Sequence, residues 1–236
     1  MLKNEFVELA IIGMPIRHPW SQDIRDAILH PLDTEHVRLA SAFAPLNLRA
    51  GYAWVLSSVE WTVWRFSGGV DVSDLLCRIE AGWASLIHPF YGLDVQPVPV
   101  HEDQPLEVGG PLRAAAHLLQ RGFDSYCSGQ AVVKHHAFCA ALLAEHVCPV
   151  PAAYEEWLSS RLRWSAKHHL EDGTPPQHQA AVPRSVMGSH PPVGAAQAKQ
   201  AAADFLAGLD PATNPYLRAP EAMLAMGFKG TPYVLT

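Results

Sequence analysis

The stretch LRAGYAWVLSSVEWTVWRF, residues 48–66, reads as a helix that is apolar on two opposite sides. At about 100° per residue, Tyr52, Val55, Leu56, Val59, Thr62, Val63 and Phe66 form one stripe, and Trp54, Trp61 and Trp64 fall roughly on the other side of the cylinder. A helix of this kind is either sandwiched between two layers or presents its indoles to a partner or ligand. In the first case 48–66 is the central helix of a three-layer core, and a helix at 152–170, itself bearing Trp157 and Trp164, covers the indoles. In the second case Trp54, Trp61, Trp64 and the neighbouring Arg65 form a partner-binding face, because tryptophan and arginine are over-represented at interface hot spots. A small-ligand pocket walled by the same indoles is the third alternative.

Working outward, the helix stops at Gly68-Gly69. Asp71, followed three residues later by Asp74, resembles a capping box ahead of Leu75, Leu76, Ile79, Trp83, Leu86 and Ile87, which trace one helical stripe before Pro89. The spacing predicts a helix over 72–88, packed against 48–66 as an antiparallel hairpin. Upstream, residues 1–32 form an irregular lead-in with a short helix near Gln22 to Leu29, for which Ser21 is the N-cap. Asp33 or Thr34 then opens a helical stretch that Pro45 breaks.

Downstream, residues 94–111 carry four prolines and a glycine pair and read as a long connection with room for an edge strand. Helical pattern returns from Leu112 to about Gln120, is interrupted at Gly122, and resumes to about Val147. Pro151 sits at a first-turn position for the helix 152–170, whose broad face holds Tyr154, Trp157, Leu158, Arg161, Leu162, Trp164, Ser165 and His168. Residues 171–194, with five prolines and three glycines, read as a flexible loop. An Ala-rich helix at 195–207 and a short one near Pro220 follow. The expectation is an all-α fold: one domain spanning 1–236, a multi-helix bundle of antiparallel helical hairpins with Pro-rich loops.

The chain has 236 residues, long enough for a sizeable core, and 49% hydrophobic with 17% charged residues places it in the folding class. A net charge of -6 with only 17 Lys plus Arg argues against non-specific nucleic-acid binding. No segment approaches the roughly 18 apolar residues of a membrane helix, and the apolar patch Leu9 to Ile12 is too short for a signal sequence. The four cysteines form no CxxC pair and lack the density of a disulfide scaffold, so reduced thiols and a cytoplasmic setting are expected, and the Ala-rich, Arg-over-Lys usage suggests a bacterial source.

Candidate chemistry gathers at His135, His136, Cys139, His146 and Cys148. On one helix, His135 and Cys139 are about 6 Å apart and could chelate a metal, but His146 lies roughly 10 Å further along the axis. A zinc site would need two more ligands, with Cys127 and His117 nearest in sequence. Cys139 beside His135 is also a formal thiol–base pair. Against both stands the ordinary behaviour of cysteine as a small buried hydrophobe. His168-His169 suits the C-terminal end of its helix when protonated, and the pair Glu155-Glu156 suits a first turn. No HExxH, ExxH, GxSxG, GxGxxG or Walker loop occurs, so no catalytic motif, cofactor or metal is assigned.

Two functions remain in view. One is an acidic, cytosolic helical module that binds a protein partner and neutralises or adapts it, for example an immunity protein holding a toxin. The other is a small-ligand-binding protein or enzyme with an inter-helix pocket that uses His135, His136 or Cys139 as polar groups.

Overall fold

The computed structural model describes residues 2–31, 34–93, 101–175, 178–188, 191–192 and 194–235. Among them are nine α-helices and no strand, so the fold is all-α. The helices are α1 (Gln22–Leu29), α2 (Val37–Phe43), α3 (Leu48–Phe66), α4 (Ser73–Ile87), α5 (Leu106–Cys127), α6 (Val133–Val147), α7 (Pro151–His168), α8 (Ala195–Ala207) and α9 (Pro220–Ala225). The edge strand conceived within 94–100 and the helix start at Asp33 lie outside the described residues.

α3 is the axis of the bundle. Asn47 caps it, its side chain accepting from the Ala50 N–H at 2.9 Å, and every residue from Leu48 to Phe66 except Trp64 is buried. α4, α5 and α6 pack directly on it. Glycines set these approaches. A Cβ on Gly82 of α4 would stand 2.4 Å from Leu56 Cδ2, one on Gly122 of α5 would stand 2.8 Å from Val55 Cγ1, and one on Gly51 of α3 would stand 3.2 Å from Val133 Cγ1 of α6. Gly122 is therefore a packing position inside a continuous α5, and not the interruption expected from sequence. The chain breaks instead after Cys127, where Gly129 has φ +65°.

α5 also starts six residues earlier than expected and carries Pro111 in its second turn. Proline has no N–H, so the Glu107 carbonyl loses its helical donor. His18 of the lead-in supplies the replacement, donating from Nε2 to Glu107 O at 2.8 Å. Asp71 does not act as a capping-box residue. It turns the chain by accepting from the Ser73 N–H, and Asp74 bonds Arg78 and the Tyr216 hydroxyl.

Within the loop 171–194 expected to be flexible, the segment 178–188 is docked, whereas Glu171, Asp172, Gly173 and Pro175 are exposed. Gln179, Val182, Arg184, Val186 and Met187 are all buried, and a 3-10 turn spans Arg184–Met187. A second, smaller apolar cluster joins Ala81 and Ala84 of α4 to Tyr91, Leu206, Tyr216, Leu217 and Met223. Among the described residues no helix is long and apolar enough to cross a membrane.

Candidate functional site

The tryptophans of α3 belong to the core. Trp54 and Trp61 are 0% and 2% exposed, Arg65 is 2% exposed, and only Trp64 is half-buried. The open aromatic face expected for partner binding is thus closed, and the three-layer arrangement is the one the structure adopts. Its cover is Trp157 of α7, whose ring lies 5.3 Å from Trp54, 5.4 Å from Trp61, 5.5 Å from Tyr154 and 5.6 Å from Phe6 of the lead-in. Trp54 donates to Ser165 Oγ and Trp157 to Met187 O, so two indole N–H groups are satisfied without water. Trp164 stands apart, packed on His168 and His169.

Glu60, on the same helix, is wholly buried and meets four donors: Arg184 Nε and Nη2, Trp64 Nε1 at 3.3 Å and Trp83 Nε1 at 3.3 Å. Burial raises its carboxyl above the ordinary range, and Arg184 with the indoles opposes that rise. Burial alone would lower Arg184, but Glu60 and Glu5 outweigh it and hold the guanidinium above its usual value. Arg184 also binds Glu5 at 2.6 Å and lies over the Phe6 ring. This cluster joins α3, the lead-in and the 178–188 segment. Its centre, Glu60 with Arg184, is buried while Glu5 reaches the surface, and the cluster serves as a structural clamp.

His135 and Cys139 do meet, with Nε2 3.5 Å from Sγ. Cys139 is 1% exposed, however, and its thiol proton points to the Leu29 carbonyl at 3.6 Å. Burial pushes that thiol up to about 12, so it offers no thiolate for nucleophilic attack at neutral pH. His136, lowered to about 4 by burial and by His135, Arg121 and His117, is a neutral ring at physiological pH. His146 turns away to donate to Pro19 O at 2.8 Å, and its ring faces His18 and Trp20. Among the described residues no three His, Cys, Asp or Glu side chains are grouped so as to hold a metal ion. His169 is not a protonated helix cap either: it is buried, and burial followed by His168 lowers it to about 4.

The structure opens elsewhere. A groove of about 760 Å³ runs between α2 and α7, walled by Val37, Leu39, Ala42, Leu158 and Leu162. A second of about 390 Å³ lies between α1 and α6, walled by Ile24, Ala27, Ile28 and Leu142. Glu35, His36 and Glu145 line both, so the two form one trough across four helices. Glu155 adds a third carboxylate, against the single cation Arg38. Glu145 sits lowest, half-buried, its carboxyl raised by burial and then by Glu155. His36 stacks edge-on at 6.1 Å from Phe138, which positions it at the junction. Val37 is 56% exposed despite its place in the wall, leaving an apolar surface with no cover in the described residues.

Of the groove residues the sequence points to only two, His146 as a candidate for metal or acid–base chemistry and Glu155 as an acid of a helix first turn, and neither as part of a groove. Each helix contributes only a few of them, and no spacing along the chain links Glu35 to Glu145 or Glu155. Compared with protein-family models, with curated proteins and with solved structures, the chain matches none.

Proposed function

We propose that this chain is a protein-binding module of the cytoplasm that neutralises or adapts a partner, in the manner of an immunity protein holding a toxin, and that the α1–α2–α6–α7 trough is its docking surface. The observation that carries the reading is the pairing of apolar walls with Glu35, Glu145 and Glu155 in one continuous depression. That chemistry fits an amphipathic helical segment with apolar anchors at i, i+3, i+4 and i+7 and lysine or arginine beside them. Charge complementarity would speed its capture and select against acidic segments. The expected docking residues therefore move from Trp54, Trp61, Trp64 and Arg65 to Val37, Leu158, Leu162, Ile24, Glu145 and Glu155.

The test is a titration with a synthetic Leu/Lys amphipathic helix, read by fluorescence anisotropy, alongside a Leu/Glu peptide of the same pattern. Saturable binding of the first and not the second is expected. Val37→Glu and Glu155→Lys, both at exposed positions, should each weaken it about tenfold, or about 1.4 kcal/mol. Lys199→Glu on α8 should leave it unchanged. Equal binding of both peptides, or indifference to Val37→Glu and Glu155→Lys, would reject the trough as the docking surface.

A second reading, a small-ligand site or enzyme, draws on the same place. A carboxyl raised by burial, beside another carboxylate and an imidazole, has the composition of an acid–base pair. Under that reading Glu145→Gln abolishes turnover or ligand binding, whereas under the docking reading it lowers cationic-peptide affinity only modestly.

A further inference from the structure

On the opposite flank of α1, away from the acidic trough, a pocket of about 270 Å³ opens between α1 and α5. Its basic lining is Arg25 and Arg113 beside the His117 ring, and among the described residues no Asp or Glu lines it, in a chain whose net charge is -6. The other wall is apolar: the Trp20 indole, Leu106 and Ala114. Trp20 reaches this place because residue 110 is glycine, where a Cβ would stand 2.1 Å from Trp20 Nε1. We propose that this pocket binds a small organic oxyanion with a flat apolar body, the oxyanion on Arg25 and Arg113 and the body against Trp20.

The side-chain geometry supports the division. Arg113 spends one nitrogen, Nη1, on the His101 carbonyl at 2.8 Å, and that bond fixes the guanidinium on α5 with its remaining donors available. Arg25 uses Nη1 on Gln22 Oε1 at 3.4 Å and on Asp26 at 3.8 Å, a long ion pair, which leaves its other guanidinium nitrogens for a second oxyanion. The surroundings add positive charge. Burial lowers His117, and then Arg121, Arg25 and His30 lower it further, so basic groups surround the ring. An oxyanion in the pocket relieves this repulsion, and guanidinium forks suit phosphate and carboxylate alike. The volume exceeds the roughly 150 Å³ that suffices for benzene, so it admits a ring as well as the charged group.

The experiment is calorimetric titration of the full chain with phenyl phosphate, benzoate, inorganic phosphate and phenol, at ionic strength fixed with sodium chloride. Phenyl phosphate or benzoate should bind saturably and at least about tenfold more tightly than inorganic phosphate, with phenol not binding. The tighter of the two aromatic anions identifies the oxyanion. Arg25→Gln and Arg113→Gln should each cost about tenfold. Arg25 is exposed, so Arg25→Gln keeps the test valid if loss of the Arg113 bond to His101 impairs folding. The His117 ring resonances should shift on binding, and its titration should move to higher pH. Binding of phenol as tight as that of the anions, binding untouched by Arg25→Gln, or no binding above the chloride background would overturn the proposal.

Discussion

Replacing Arg184 by methionine should do more harm than any other single change to a charged residue, because it strands Glu60. The Glu60 carboxylate has 0% exposure, one cationic neighbour and two indole donors. Removing the guanidinium leaves a buried charge uncompensated, a defect worth about 3–5 kcal/mol. In a chain of this length that lowers Tm by roughly 6–20 °C. The reverse change, Glu60→Leu, should cost less. Arg184 keeps Glu5 at 2.6 Å and the Lys3 carbonyl, so the main loss is the Trp83 N–H left unpaired, about 1–3 kcal/mol. The double variant Glu60→Leu/Arg184→Met should be less destabilised than the sum of the two, with a coupling of at least about 2 kcal/mol. A pH signature accompanies it. With Arg184 gone, Glu60 keeps the upward push of burial without its main opposition, so its folded pKa lies above the unfolded one. That stabilises the protonated form and is lost as pH rises, so the Arg184→Met deficit should shrink on acidifying from pH 7 toward 4.5. Urea unfolding followed by circular dichroism at several pH values measures all of this. Additive single effects below about 1 kcal/mol each, or a deficit independent of pH, would refute the account of the clamp.

Three further outcomes follow from the same structure. His169, lowered from 6.5 to about 4, favours the folded state only while neutral. Its contribution is present above pH 6.5 and is lost as pH falls toward 4, up to about 3 kcal/mol, and His169→Leu should flatten that part of a stability–pH curve. Gly82→Ala should destabilise by about 1–2 kcal/mol in thermal unfolding. Its Cβ would stand 2.4 Å from Leu56 Cδ2 and 2.8 Å from the Tyr52 hydroxyl, and the gain in helix propensity of about 1 kcal/mol offsets only part of that. A thiol reagent should modify the exposed Cys127 first in the native protein and Cys139 only after unfolding, as mass spectrometry of the labelled peptides would show.

The long helices were legible because burial on both sides leaves a period in the sequence. The bounds of α3 and of α4, within a residue, follow from the apolar spacing of 48–66 and 72–88. Ser21 also caps α1 as its position implied. Glycine was the less readable residue. Gly122 looks like a stop, but it is a crossing point where α5 meets Val55, and only the three-dimensional neighbour distinguishes the two. The docking of 178–188 within the loop 171–194 is hidden in the sequence for a related reason. The segment is held by isolated anchors, the Gln179 side chain accepting from the Arg49 N–H, Arg184 on Glu60, and the Met187 carbonyl accepting from the Trp157 indole, and isolated anchors in a Pro-rich stretch produce no period. The trough was invisible in the sequence because it is a vacancy between helices, assembled from residues that look like ordinary solvated acids and surface aliphatics. The indoles drew attention for a sound reason, their large apolar area, and that area is what α7 covers.

The Glu60 clamp also sets a condition on how the chain reaches its native state. Its parts come from positions 3–6, 60, 64, 83 and 184, with Arg184 separated from Glu60 by 124 residues. On a ribosome, α3 emerges long before the cation that neutralises its one buried acid. Until then, enclosing α3 on that side buries the Glu60 carboxyl without its cation, at the same cost that Arg184→Met would carry. The last half of the lead-in-to-loop connection closes only when residue 184 arrives, and contacts of such long sequence separation fold slowly. A single charge pair in this protein thus acts as a check that the central helix is enclosed by the right segment.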